Sequence, residues 1–263
     1  MDLGLKGRVA IVTGGSDGIG KAAALSLAKE GARVAICARR SEVLDAAAVQ
    51  IKEATAADLL AFQCDVRDES QVSQFVEKVM AEWGRIDILV NNAGTGNANR
   101  FEDVDNDLWE EDLQVKVYGA IYFSRAVLPH MMQASWGRII NITTPGGKLP
   151  HSASLPTSLS RAAGIALTKA MSKDYAPNGI LINTICIGLI KSGQHERRWE
   201  RVSTKDPSIT LENFYEKMAE QIPLGRVGEA SEAGDLICFL ASDKASFISG
   251  TAINVDGGMA PTV

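Results

Sequence analysis

The chain has 263 residues, which suits one large α/β domain or two small ones. Hydrophobic residues make up 46% of it, so a sizeable core can form. Acids outnumber bases by 32 to 27, a net charge of −5 with no lysine-arginine run, which argues against nucleic acid or an anionic membrane surface as the main partner. No apolar stretch is long enough to span a bilayer, and Met1 to Lys6 carry no apolar signal region, so a cytoplasmic location is expected. Cys37, Cys64, Cys186 and Cys238 lie far apart in apolar runs and form no CxxC pair. They read as buried structural thiols, with no metal site.

Runs rich in valine and isoleucine alternate with segments of helical period. Residues 8–13 read as a buried strand, 18–30 as a helix and 33–37 as a second strand. Thr13-Gly14-Gly15-Ser16-Asp17-Gly18-Ile19-Gly20 joins the first strand to the first helix. Glycines at 14, 18 and 20 let the backbone turn sharply and approach a pyrophosphate. The helix start adds free N–H groups and a partial positive charge. The spacing is GxxxGxG, not the GxGxxG of two-domain dehydrogenases. The second strand ends Cys37-Ala38-Arg39-Arg40. An acid about 20 residues beyond the glycines would hold the ribose hydroxyls of NAD. Two guanidinium groups stand there instead, and arginine suits a 2′-phosphate, so NADP(H) is the expected cofactor.

Further along, 41–54 reads as a helix with Ser41 at its N-cap, 59–64 as a strand, 69–83 as a helix and 86–90 as a strand. A long helix at 107–134, a strand at 138–142, a helix at 155–176 and a strand at 180–185 follow. A helix at 229–241 and a strand at 251–255 close the pattern. The alternation implies right-handed crossovers and a Rossmann-like, doubly wound parallel sheet: a single α/β domain spanning 1–263. Residues 188–224 break the alternation. They carry Lys191, His195, Arg197, Arg198, Trp199, Phe214 and Tyr215 between a strand and a helix. Insertions after a strand's carboxyl end border the ligand crevice of such sheets, so this segment is a candidate substrate lid. A surface helical hairpin without a catalytic part is the alternative.

Three motifs in order, TGxxxGIG, Asn91-Asn92-Ala93-Gly94, and Ser249-Gly250-Thr251 leading into Asn254-Val255-Asp256-Gly257-Gly258, make the chain resemble the short-chain dehydrogenase/reductase family over residues 8–258. The resemblance implies a cofactor site built from Gly14, Ser16, Asp17, Gly18, Ile19, Gly20, Asn92, Ala93 and Gly94. Asp65 and Val66 would bracket the adenine, and Ile190 would lie near the nicotinamide carboxamide. Many NADP-preferring relatives carry a basic residue where Asp17 stands, so one phosphate contact is expected to be missing. In the family the two long helices pack against a second subunit, which implies a homo-oligomer, a tetramer or dimer.

The same resemblance places four catalytic positions, and all four are altered. Thr144 stands for the serine that binds the substrate oxygen, and Thr157 for the tyrosine that passes it a proton. Arg161 stands for the lysine that holds the ribose, and Lys116 for the asparagine that anchors a relay water. Thr144 keeps a hydroxyl, and Arg161 keeps a charge for the ribose, but a guanidinium stays protonated. Thr157 is the serious loss, because an aliphatic alcohol cannot be tuned as a phenol can. Lys116, His151 and His195 are the candidate replacements, with Lys116 acting as an acid or an amine nucleophile, or only pairing with an acid. Nearby, Ile187 replaces the family's proline after the sixth strand and Ser192 its threonine. The first reading is an NADP(H)-dependent oxidoreductase interconverting a small ketone or aldehyde and its alcohol. A non-redox lyase or dehydratase using Lys116, or a nicotinamide-binding protein without turnover, are the alternatives.

Overall fold

A computed structural model describes all residues, 1–263. Strand β1 (Val9–Thr13) is apolar at four of five positions and buried throughout. Helix α1 (Gly18–Lys29) follows the glycine turn and is capped by Asp17, whose carboxylate accepts from Gly18 N at 2.7 Å. β2 (Arg33–Ala38), α2 (Ser41–Thr55), β3 (Leu59–Gln63), α3 (Glu69–Trp83) and β4 (Ile88–Asn91) follow as the periodicity predicts. Ser41 is not the cap of α2. The chain turns helical one residue early, so Arg40 takes the cap position and offers no acceptor.

The second half departs more. A short strand β5 (Ala98–Asn99) precedes α4 (Asn106–Leu113), and a π turn at Gln114–Tyr118 separates α4 from α5 (Gly119–Ala134). The predicted helix over 107–134 is therefore present as one continuous helical run that contains a widened turn. After β6 (Gly137–Thr143), β7 (Leu155–Pro156) pairs antiparallel with β5, so α6 (Thr157–Tyr175) starts two residues later than its pattern suggested. β8 (Ile180–Ile187), α7 (Gly193–Ser203), α8 (Leu211–Ala219), α9 (Ala230–Ala241) and β9 (Ala252–Val255) complete the chain. A reciprocal capping box between Glu229 and Glu232 fixes the start of α9.

Seven strands form one parallel sheet in the order β3-β2-β1-β4-β6-β8-β9. Successive side chains of a strand point to opposite faces. Ala10 and Val12 accordingly join Leu27, Ile51 and Ile237 under α1, α2 and α9, while Val9 and Ile11 join Phe75, Phe123 and Met131 under α3 and α5. All four cysteines are buried and unbonded, as expected of structural thiols. No helix is long and apolar enough to cross a membrane. The strand order reverses between β1 and β4, and a ligand crevice is expected outside the carboxyl ends there.

Candidate active site

A cleft of about 480 Å³ opens at that switch point, within the size range of small-molecule and cofactor sites. The glycine turn forms its base. Gly14 has φ +64, and a Cβ there would stand 2.9 Å from Asn92 Nδ2, so a side chain would be both strained and obstructed. The Asn92 amide donates to the carbonyls of Thr13 and Gly14, and Thr13 Oγ1 accepts from Asn92 N and Ala93 N. This clamp holds the end of β4 against the end of β1.

Of the residues placed in the cofactor site by sequence, Ser16, Asp17, Gly18, Ile19, Arg39, Arg40, Asp65, Val66, Ala93, Gly94 and Arg161 line the cleft with Gly14 and Asn92. Gly20 does not. It lies inside α1, where a Cβ would meet Gly14 O at 2.2 Å, so its role is close packing of the turn. Ile190 does not either. It bridges to Gly228 and faces a separate cavity, because the chain bends away after β8, and Ile187 lines the cleft instead.

The donor set suits a phosphorylated dinucleotide. Arg39 and Arg40 are exposed at the cleft, and neither makes an ion pair. Asp65 is held below the usual carboxylate range by Arg67 and Arg39, which outweigh its burial. Asp17, the unfavourable residue, is answered by Arg197 of α7, with Nη1 3.7 Å from Asp17 Oδ2. Segment 188–224 thus reaches over the cleft. Ser192, Gln194 and Arg197 line it, and Gln194 Oε1 accepts from Gly96 N at 3.2 Å on the opposite wall. Behind it, Met218 and Ile222 of the segment pack with Val227, just beyond it, in a small separate core.

Lys116, Thr157 and Arg161 come together beside this cleft, whereas Thr144 lines neither it nor the small void next to it. Arg161 is on the second turn of α6, and its Nη1 donates to Ile142 O at 2.7 Å. Gly94 makes room for it, since a Cβ there would stand 3.0 Å from Arg161 Nη2. Burial pulls its pKa down to about 10, with Asp112 opposing, so it is a cation at neutral pH. Thr144 follows β6, half-buried, and its side chain makes no capping bond.

Lys116 does not line the cleft itself. Its side chain is 1% exposed and borders a small void of about 20 Å³ next to the cleft. Its ammonium donates to Asp112 and, at 2.9 Å, to Thr157 Oγ1. Burial and the Arg161 charge lower its pKa to about 8, against the opposing pull of Asp112. Thr157 Oγ1 in turn donates to Asn97 O at 2.6 Å and accepts from Asn97 N at 3.0 Å. Residues 157 and 161 share a helix face as their spacing predicts. Ser160 Oγ donates to Asp112 Oδ2 at 2.6 Å.

The histidines stand apart from this cluster. His151 is exposed, with Nδ1 2.8 Å from Ser152 O in its own loop. His195 sits on α7, and burial lowers its pKa, so it is mostly neutral at pH 7. Asp112 and Asn97 escaped the sequence reading. The spacing of four between Asp112 and Lys116 was visible, but nothing local marked the pair as buried.

Comparison with known proteins agrees with the fold. Residues 14–260 match the family model described as enoyl-(acyl carrier protein) reductase. A 3-oxoacyl-(acyl-carrier-protein) reductase of Aquifex aeolicus is 32% identical over 259 residues, covering 98% of this chain and 100% of its own. L-sorbose reductase of Gluconobacter frateurii, solved with NADPH and L-sorbose, superposes with a TM-score of 0.95 at 30% identity, covering 100% of both chains. A short-chain oxidoreductase of Pseudomonas aeruginosa, solved with NADPH and described as containing an atypical catalytic center, gives a TM-score of 0.90 at 37% identity, covering 97% of this chain and 98% of its own.

Proposed function

The chain belongs to the short-chain dehydrogenase/reductase superfamily, and on that premise we propose that it is an NADPH-dependent reductase of a small ketone or aldehyde, working in reverse on the alcohol. The observation that carries this reading is the buried Lys116 ammonium held 2.9 Å from Thr157 Oγ1, in the cluster with Arg161.

The residues divide the work by position. Backbone N–H groups of the glycine turn take the pyrophosphate, Arg39 and Arg40 the 2′-phosphate, and Asp65 and Val66 flank the adenine. Arg161 holds the nicotinamide ribose. A reduced nicotinamide bound there supplies the hydride. The Thr144 hydroxyl donates to the carbonyl oxygen and polarises it. As that oxygen gains charge, the Thr157 hydroxyl swings from Asn97 O, gives up its proton, and takes one from Lys116 in the same motion. Threonine never has to exist as a free alkoxide, which removes the objection that its pKa cannot be tuned. The net donor is Lys116, which becomes a neutral amine and is reloaded from water.

A pKa near 8 leaves roughly ten ammoniums for each amine at pH 7. The hydrogen bond from that ammonium to Thr157 Oγ1 aims it as a proton donor, which supports the acid role. Segment 188–224 serves as the lid, and the exposed side chains Phe101, Tyr118 and Leu159 around α4 to α6 support a dimer or tetramer.

The test is consumption of NADPH, followed at its absorbance band, across a panel of small ketones, hydroxyketones and aldehydes. Turnover with one class is expected, with a rate that holds below pH 8 and falls above it as Lys116 loses its proton. Tight NADPH binding with no turnover on any panel member would sink the reading. Thr157→Val tests the relay itself. The variant should lose turnover by on the order of 10²-fold or more and about 1–3 kcal/mol of stability, because Asn97 and Lys116 lose a partner. Thr157→Ser should keep most of both, as read by kcat and thermal melting.

A further inference from the structure

Asp112 belongs to no motif, yet it is a buried charge in the catalytic cluster. Its side chain is fully buried, at the next-to-last residue of α4. An ionised carboxylate in that position costs several kcal/mol unless it is paired and hydrogen-bonded. Its partners come from three directions: the Lys116 ammonium from the π turn, Ser160 Oγ from α6 at 2.6 Å, and, at 3.5 Å, Asn97 Nδ2 from the loop before β5.

The charged groups acting on the Lys116 ammonium are few. On its own helix there is Asp112, and on α6 there is Arg161. Thr157 and Ser160 of α6 and Asn97 of the neighbouring loop are neutral. Two cations therefore share one carboxylate in a buried site. Arg161 and burial both drive the Lys116 proton off, and Asp112 alone holds it on. Position matters as much as charge. An ammonium has three N–H donors. Asp112 takes one and thereby sets the side-chain direction that brings the second to Thr157. The π turn lies at this junction, and such widened turns often mark functional sites.

We propose that Asp112 is a positioning residue that keeps Lys116 protonated and aimed at Thr157, so that the pocket performs acid rather than amine chemistry. This inference rests on the reductase reading above, but it concerns a property of Lys116 that can be read without turnover. Without Asp112 the same lysine would be a neutral amine at physiological pH, competent as a base or nucleophile and no longer as a donor.

The test is a pH titration of Lys116 by NMR of protein carrying 13Cε-labelled lysine, assigned by the resonance missing from Lys116→Met. It is run beside the pH profile of kcat. In Asp112→Asn the Lys116 midpoint should fall by about 1–3 pH units, and the alkaline limb of kcat should move down with it, at unchanged NADPH affinity. An unmoved midpoint in the folded variant overturns the inference. A midpoint that falls while the kcat limb stays put upholds Asp112 and instead removes Lys116 as the proton donor. Asp112→Glu keeps the charge and displaces it by one methylene, and it covers the case in which Asp112→Asn fails to fold. It should hold the Lys116 midpoint near the wild-type value while kcat drops about tenfold through misplacement. Unchanged kcat in Asp112→Glu, or a midpoint that collapses despite the retained charge, overturns the positioning role.

Discussion

Replacing Lys116 by methionine is expected to lower carbonyl reduction by on the order of 10²–10⁴ in kcat while leaving NADPH affinity in place. Methionine has the length and flexibility to fill the space of the lysine stem, so the packing of the π turn survives. The charge does not. Asp112 is left buried with Ser160 and a long contact from Asn97 as its only partners. Breaking a buried pair from one side typically costs about 3–5 kcal/mol, or a fall in melting temperature on the order of 10 °C for a chain of this size. Activity and stability would therefore fall together, and a melt alone could not separate them. The double variant Lys116→Met, Asp112→Leu removes both charges, and an apolar pair in place of a buried ion pair is often neutral or stabilising. Its melting temperature should recover toward the wild type while reduction stays lost. Recovery of activity along with stability would show that Lys116 serves the fold rather than the proton.

The second large effect is expected at the cofactor. Arg39→Ala should weaken NADPH binding about 10–100-fold, because hydrogen bonds to a charged group contribute about 1.5–3 kcal/mol, and should leave NADH binding unchanged. Arg40 gives a prediction of opposite signs. It occupies the N-cap of α2 without a capping bond, at the end of a helix dipole that disfavours a cation. Arg40→Ser should therefore stabilise the fold by about 1 kcal/mol and at the same time weaken NADPH. The double variant Arg39→Ala, Arg40→Ser should prefer NADH. Isothermal titration with both cofactors and a thermal melt decide the matter. Equal loss of NADPH and NADH affinity would mean that the arginines do not read the 2′-phosphate. A residue that binds better than it folds is what a ligand site leaves behind in a helix cap.

Residues whose role is local were legible before the fold was known. The turn Thr13 to Gly20 carries its own geometry in its glycines, and the Arg39-Arg40 pair sits at a strand end fixed by the run before it. Gly14 and residues 16–19 of the turn line the cleft, as do both arginines. The boundaries that failed did so for non-local reasons. Leu155 and Pro156 are drawn out of α6 by pairing with Ala98 and Asn99, more than fifty residues away. The widened turn at Gln114–Tyr118 leaves no mark in the hydrophobic period. Ile190 was placed by analogy along the chain, and the bridge to Gly228 turned it to another cavity.

By itself the sequence determined the sheet and its order of strands and helices, and it pointed to the crevice and to candidate residues beside it. Side-chain period and turn chemistry are written along the chain, and a parallel sheet with right-handed crossovers follows from them. Only the tertiary structure shows what surrounds Lys116. Its partners Asp112 and Thr157 are 4 and 41 residues away, and Ser160 reaches Asp112 across 48. The exclusion of water that brings an ammonium pKa to about 8 exists only where those segments meet. A protonation state is set by the dielectric and the charges around a group, and neither is a property of its neighbours in sequence.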